Sequence, residues 1–299
     1  MTPNVLLMLP DFGLILLGAI LARRFTYPRG FWEGAEKLVY YVLFPPLLFS
    51  AIVGAKFSLA TDGKLLAAAV ASFLIAVALG FLARPLFRPR RELFASCVQT
   101  AFRYNSYVGL ALAQALFGMR GVALLALIIA FCIPLANLFA VYALARHQNA
   151  NVLRELAVNP LILATVAGLA ANFAGIEFPL VVSNFLARLG AASLALGLLC
   201  IGAGLAFEAV RDDRRTMAWF TVVKLLLMPA AATVLVILLG LRGVEAQVVV
   251  LFAALPTASS AYILAARMGG HAAPVAVLVT MQTLLAMATL PLWVGFAPV

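Results

Sequence analysis

Between Lys64 and Arg84 the chain reads "LLAAAVASFLIAVALGFLA", nineteen residues without a single charge. As a helix that run is about 28 Å long, close to the roughly 30 Å hydrocarbon layer of a bilayer. Inside lipid every backbone N–H and C=O must be satisfied within the chain, so such a run has to be helical. The pattern recurs. Apolar runs bounded by charges, glycine or proline lie at about 5–22, 37–54, 64–84, 93–117, 121–144, 156–175, 186–207, 217–240, 246–266 and 273–296. Composition points the same way, with 65% apolar and 11% charged residues. Soluble domains hold about 45–50% and about 25% respectively. The expected fold class is an all-α integral membrane protein with ten transmembrane helices.

The first run, "MTPNVLLMLPDFGLILLGAILARRF", has no basic leader and no small-residue cleavage site, so it reads as a retained span. Cys97, Cys132 and Cys200 fall in apolar runs, form no CxxC pair and read as packing residues. No metal or cofactor site is expected. A net charge of +10 could indicate nucleic acid, but in a membrane protein Lys and Arg report orientation. Fourteen basic side chains follow odd-numbered runs, among them Arg23, Arg24, Arg88, Arg90 and Arg91. Five follow even-numbered runs: Lys56, Lys64, Arg120, Arg188 and Arg242. Arg103 and Lys224 lie inside runs. Both termini are therefore expected on the non-cytoplasmic side of the cell inner (plasma) membrane, and no nucleic-acid partner is expected.

The two halves echo one another. Pro10 with Gly18 returns as Pro160 with Gly168, and "TDGKLL" at 61 returns as "TVVKLL" at 221. "ALFG" ends the fourth run much as "RMGG" ends the ninth. These offsets suggest a first five-helix repeat over 1–150 and a second over 151–299. Because five is odd, the second copy must be inverted, an arrangement characteristic of secondary transporters.

The stretch "TAFRYNSYVGL" at 100–110 interrupts one of the greasiest parts of the chain. Arg103 is eleven residues past Glu92, or about 16 Å, which is mid-bilayer. Pro256 of "ALPTASSAYIL" is likewise eleven residues past Glu245, approached from the opposite face. Proline removes a donor and clashes with the preceding turn, so Pro256 should break its helix; Thr257, Ser259 and Ser260 can satisfy freed carbonyls. Irregular backbone at that depth is tolerated where it is buried or lines a cavity, and half-helix N-termini there aim donors at a ligand. None of the eleven acids lies mid-span, so Arg103 has no obvious carboxylate at its own depth. An anionic ligand is the expected partner, held by the guanidinium with Asn105, Ser106, Thr257, Ser259 and Ser260. The competing reading has Arg103 snorkelling or capping helix carbonyls.

These blocks resemble the auxin efflux carrier family, within the bile acid/sodium symporter and arsenite carrier superfamily. "KLVYYVLFPPLLFSAI", "RYNSYVGLALAQALFG", "NPLILATVAGLAANFAGI" and "ALPTASSAYILAARMGG" carry the resemblance, which runs nearly end to end. It implies two inverted five-helix repeats, with helices 4 and 9 broken and crossing. Spans 1, 2, 6 and 7 would form a scaffold, and spans 3–5 and 8–10 a transport unit. It implies organic-anion transport, Asn105 as a substrate ligand, and a homodimer as the assembly. The family's plant members carry proline at both crossings, whereas "RYNS" has none. Sodium-coupled relatives use acidic core ligands absent here, which favours proton coupling or uniport.

Further candidates for the pathway or for coupling are Tyr104, Gln282, Asn137, Lys224 and Asp11. Each has a plainer reading: interhelical packing for Gln282 and Asn137, an interfacial carboxylate for Asp11, snorkelling to the cytosolic surface for Lys224. An enzyme is not expected. His147 and His271 lie in loops, and neither HExxH nor GxSxG occurs. The expected function is alternating-access transport of small carboxylates such as malonate or auxin-like acids. The alternatives are a sodium-coupled, bile-acid-type symporter and a membrane ligand sensor that moves nothing.

Overall fold

The computed structural model describes residues 3–25, 27–54, 59–144, 160–205, 213–258 and 260–296. Within them the secondary structure is helical, with no strand. Helices α1 (Pro3–Arg24), α2 (Arg29–Leu38) and α3 (Phe44–Val53) come first, α2 and α3 being joined by a π-helical turn at Val39–Leu43. Next are α4 (Leu59–Phe87), α5 (Arg91–Cys97), a 3-10 turn at Val98–Ala101, and α6 (Ser106–Leu144). The second half holds α7 (Pro160–Phe173), α8 (Leu180–Ala203), α9 (Arg214–Val222), a π-helical turn at Val223–Leu227 and α10 (Met228–Leu238). It closes with α11 (Gly243–Ala254), α12 (Ser260–Arg267) and α13 (Ala272–Phe296).

Among the described residues six helical stretches are long and apolar enough to cross a membrane: 30–53, 62–87, 91–144, 180–203, 214–238 and 272–296. Shorter apolar helices cover 163–173 and 243–254. The 54-residue stretch is not one straight rod. Its backbone leaves the helix at 102–105, and Gly118 sits at φ 61°, where a side chain would be strained. Proline placement explains two other irregularities. Pro45 and Pro46, like Pro229, lie within continuous helical stretches, where the missing N–H and the ring's clash with the preceding turn need a local distortion. In each case a π-helical turn comes immediately before.

The chain divides into two compact units. The first comprises 1–59, 107–130 and 153–204. Its helices approach through glycine: a Cβ on Gly18 would strike the Leu199 backbone, and one on Gly202 the Ile15 backbone. Association in lipid depends on this kind of close packing, because the surrounding acyl chains are as apolar as leucine. Asn172 of α7 donates its side-chain amide to the Ile52 and Val53 carbonyls at 3.1 and 2.8 Å, satisfying the last turn of α3.

The second unit comprises 60–106, 131–152 and 205–299. Phe102 is buried there between Phe73 and Phe139, with ring centroids 5.7 and 6.4 Å away. Two half-buried tryptophans find carbonyls for their N–H groups: Trp219 donates to Leu79 at 2.8 Å, and Trp293 to Leu225 at 2.9 Å. Cys97, Cys132 and Cys200 are free and buried, as the sequence indicates.

Candidate functional site

The approach to the first interruption tightens before it breaks. After α5 the chain shortens its pitch through the 3-10 turn, and Phe102 and Arg103 both direct their N–H to the Gln99 carbonyl, at 3.3 and 2.8 Å. Side chains compete for the same backbone: Thr100 Oγ1 donates to the Cys97 carbonyl at 2.7 Å, and Gln99 Nε2 to that of Ser96 at 2.9 Å. Such local side-chain bonds offer the backbone an alternative to continuing the helix. Residues 102–105 then run without helical structure until Ser106 opens α6. No proline is involved.

The second interruption has the expected cause. Leu255, the residue before Pro256, is extended at φ −58°, ψ 140°, and α11 ends at Ala254. Helix resumes at Ser260, with Ala261 donating to the Ala258 carbonyl at 3.0 Å. Ser259 lies outside the described residues.

The two interruptions meet. Asn105 N–H donates to the Pro256 carbonyl at 2.8 Å. Thr257 Oγ1 donates to the Thr100 carbonyl at 2.8 Å, bifurcated toward the Arg103 carbonyl at 3.3 Å. Gln282 of α13 adds a second bond to the Thr100 carbonyl, from Nε2 at 3.2 Å. Backbone groups freed at one break are thus satisfied from the other, which an interior without water requires.

Arg103 is half-buried beside this junction. Its guanidinium donates to Asn137 Oδ1 at 3.2 Å, Ser260 Oγ at 3.3 Å and Gln99 Oε1 at 3.4 Å. These bonds are long for N–H···O, and their acceptors are neutral. A carboxylate would make shorter and stronger bonds with the same fork. Asn105 is only 3% exposed, Ser106 is half-buried and Ser260 is exposed.

Comparison with known families places the chain. A family model described as "Membrane transport protein" matches residues 5–294. The chain belongs to this family, the auxin efflux carriers. It is also similar to a Rhizobium meliloti (strain 1021) protein named "Putative malonate transporter". The two are 28% identical over 301 residues, covering 95% of this chain and 92% of that protein. The chain is therefore a multi-pass membrane transporter rather than an enzyme.

The transporter places its remaining candidate residues unevenly. Tyr104 is buried, with its ring 4.7 Å from that of Phe252, and its hydroxyl has no hydrogen-bond partner among the described residues. Gln282 Oε1 is likewise buried and unpartnered. Asn137, read from the sequence as a packing residue or pathway candidate, is a direct partner of Arg103. Asp11 lies on α1 in the other compact unit, and its Oδ2 is buried without a hydrogen bond.

Lys224 corrects the expectation of snorkelling. It is 0% exposed, and its ammonium contacts the Met228 sulfur at 3.1 Å and donates to the Ala253 carbonyl at 3.3 Å. The π-helical turn at 223–227 inserts an extra residue per turn, which changes the face a side chain occupies. A regular 3.6-residue reading does not anticipate that shift. Thr100 and Gln99 also belong to the site, and the sequence reading did not single out Thr100. The signal was faint: a polar pair at 99–100 immediately before "AFRYNS". Among the described residues no group of three or more His, Cys, Asp or Glu side chains could hold a metal ion.

Proposed function

We propose that this transporter carries small organic anions, carboxylates of the malonate or auxin-like kind, by alternating access around the paired interruptions. The observation that carries the reading is the junction itself. Two broken helices share hydrogen bonds, and Arg103 stands beside them, with bonds to Gln99, Asn137 and Ser260 among its contacts. A guanidinium so placed can exchange weak neutral contacts for a charge-assisted pair with a carboxylate. The exposed Ser260 and half-buried Ser106 provide further donors, and Asn105 is fixed beside them in sequence by its N–H bond to the Pro256 carbonyl. Thr257 and Pro256 act on the backbone of the junction. The name of the rhizobial relative favours a short dicarboxylate as the first substrate to test.

The wider architecture belongs to the same proposal. Ten spans form two inverted repeats, 1–150 and 151–299, with interrupted helices 4 and 9 crossing. In each repeat a glycine packs tightly at the matching position: Gly18 against the Leu199 backbone, and Gly168 against Ile52 and the Phe49 carbonyl. Spans 1, 2, 6 and 7 serve as scaffold and spans 3–5 and 8–10 as transport unit. The division into compact units supports this grouping, apart from 107–130, which joins the first. The termini face away from the cytosol across the inner membrane, the assembly is a homodimer, and transport is proton-coupled or uniport.

Uptake of labelled malonate into vesicles containing the purified protein tests the reading. Malonate should accumulate, and unlabelled short carboxylates should compete, with and without imposed pH or sodium gradients. Saturable binding without flux would identify a sensor instead. Accumulation that requires sodium would favour a sodium-linked symporter.

A further inference from the structure

We propose that Lys224 is the group that takes up and releases the coupled proton, an inference that rests on the carboxylate-carrier reading above. Its position connects it to the junction from behind. The Ala253 carbonyl it bonds lies in the last turn of α11, immediately before the break that contains Pro256. Cys132 of α6 is buried in the neighbourhood of both Lys224 and Tyr104. Tyr104 adjoins Asn105, and its buried hydroxyl has no hydrogen-bond partner among the described residues. Ammonium, thiol and phenol thus form a buried polar cluster leading to the first interruption.

The bonding suits a group that exists in two charge states. An ammonium has three donors, and here it meets one carbonyl oxygen and one thioether, a weak acceptor. A neutral amine keeps the carbonyl bond with less left unsatisfied. Other ionisable side chains on the elements packed around the turn at Val223–Leu227 are Arg214 and Arg215 at the start of α9 and Glu245 in the first turn of α11. Helices α10 and α13 and the 98–101 turn have none. The charged form therefore stands against helix-end dipole and thiol rather than against a carboxylate, and burial of such a charge is costly. A carboxylate arriving at the junction supplies the missing negative charge. Anion binding then favours protonation of Lys224, and by linkage protonation favours anion binding to the same degree. Carbonyls at broken-helix ends are where transporters hold their coupling cations. Here the chain supplies the cation as its own side chain. A proton from the solution on one side joins the amine as the anion binds, and both depart on the other side.

The test uses the purified full chain in weakly buffered detergent at about pH 8, with a pH indicator dye and malonate as probe. Wild type should take up protons as malonate binds. Lys224→Arg, which cannot lose its charge, should bind malonate without that uptake, and Lys224→Met, which carries none, should bind it more weakly and likewise without uptake. In vesicles both variants should still exchange labelled for unlabelled malonate. Accumulation driven by an imposed pH gradient should fall at least about tenfold. Wild-type binding without proton uptake, or variants driven by the pH gradient as wild type is, would overturn the assignment while leaving the carrier intact. Absence of malonate or other carboxylate binding in wild type would remove the carrier reading, and this inference with it. If Lys224→Met does not elute as a folded species, the wild-type and Lys224→Arg measurements still decide.

Discussion

The two helix interruptions of this transporter, at 102–105 and 255–258, are chemically unlike, although they end in the same bonded junction. At 255–258 the break is written into the covalent structure: Pro256 lacks a donor, and Leu255 before it is forced to extend. At 102–105 every residue could continue a helix. There the break is maintained by partners from elsewhere, chiefly Thr257 on the Thr100 and Arg103 carbonyls and the Pro256 carbonyl on Asn105 N–H. One segment is broken by its own sequence, and it supplies the groups that keep the other open. Charge is divided unequally too. The guanidinium belongs to the proline-free break, whereas the proline break contributes hydroxyls and carbonyls.

That asymmetry can be attacked residue by residue. The largest effect is expected from Arg103→Ala, because the cation lies on one side of the junction alone. A charge-assisted bond is worth about 1.5–3 kcal/mol, so malonate uptake should fall about tenfold to a hundredfold while the protein stays folded. Uptake at the wild-type rate would remove Arg103 from the mechanism and leave the two breaks equivalent.

Thr257→Val should follow. The isostere leaves the Arg103 carbonyl without that hydroxyl and halves the bonding to the Thr100 carbonyl, at a cost of about 1–3 kcal/mol. Thermal unfolding in detergent should drop by several degrees, and Thr257→Ser should recover most of it. An unchanged midpoint would show that the first break needs no help from the second.

Pro256→Ala probes the opposite dependence and should do less. Its carbonyl still accepts from Asn105, and losing the proline's restriction of the unfolded chain costs about 0.4–1 kcal/mol. Uptake should persist within a few-fold. Loss as complete as that of Arg103→Ala would mean the proline, not the shared bonding, keeps the junction open.

Gln282→Leu should be the mildest change. It deletes one bond to the Thr100 carbonyl, which Thr257 still satisfies, and it removes a buried Oε1 that has no partner. A stability change within about 0.5 kcal/mol is expected, because deleting an unsatisfied group offsets the lost bond. A large loss would assign Gln282 a part in the junction equal to that of Thr257.

The sequence alone determined that this chain lives in a membrane, that its structure is helical, and which two stretches interrupt its apolar runs. Hydropathy and proline chemistry act over a few residues, so "RYNS" and "LPTAS" announce themselves without a fold. Only the tertiary structure decided who bonds to whom. Thr257 reaches a carbonyl 157 positions away, Arg103 reaches Asn137 and Ser260, and Lys224 is fully buried against the Ala253 carbonyl. In lipid a freed backbone group or buried cation must find a partner, but any of several helices could provide it. The packing of α5, α6, α11 and α13 selects that partner, and no local pattern encodes the choice.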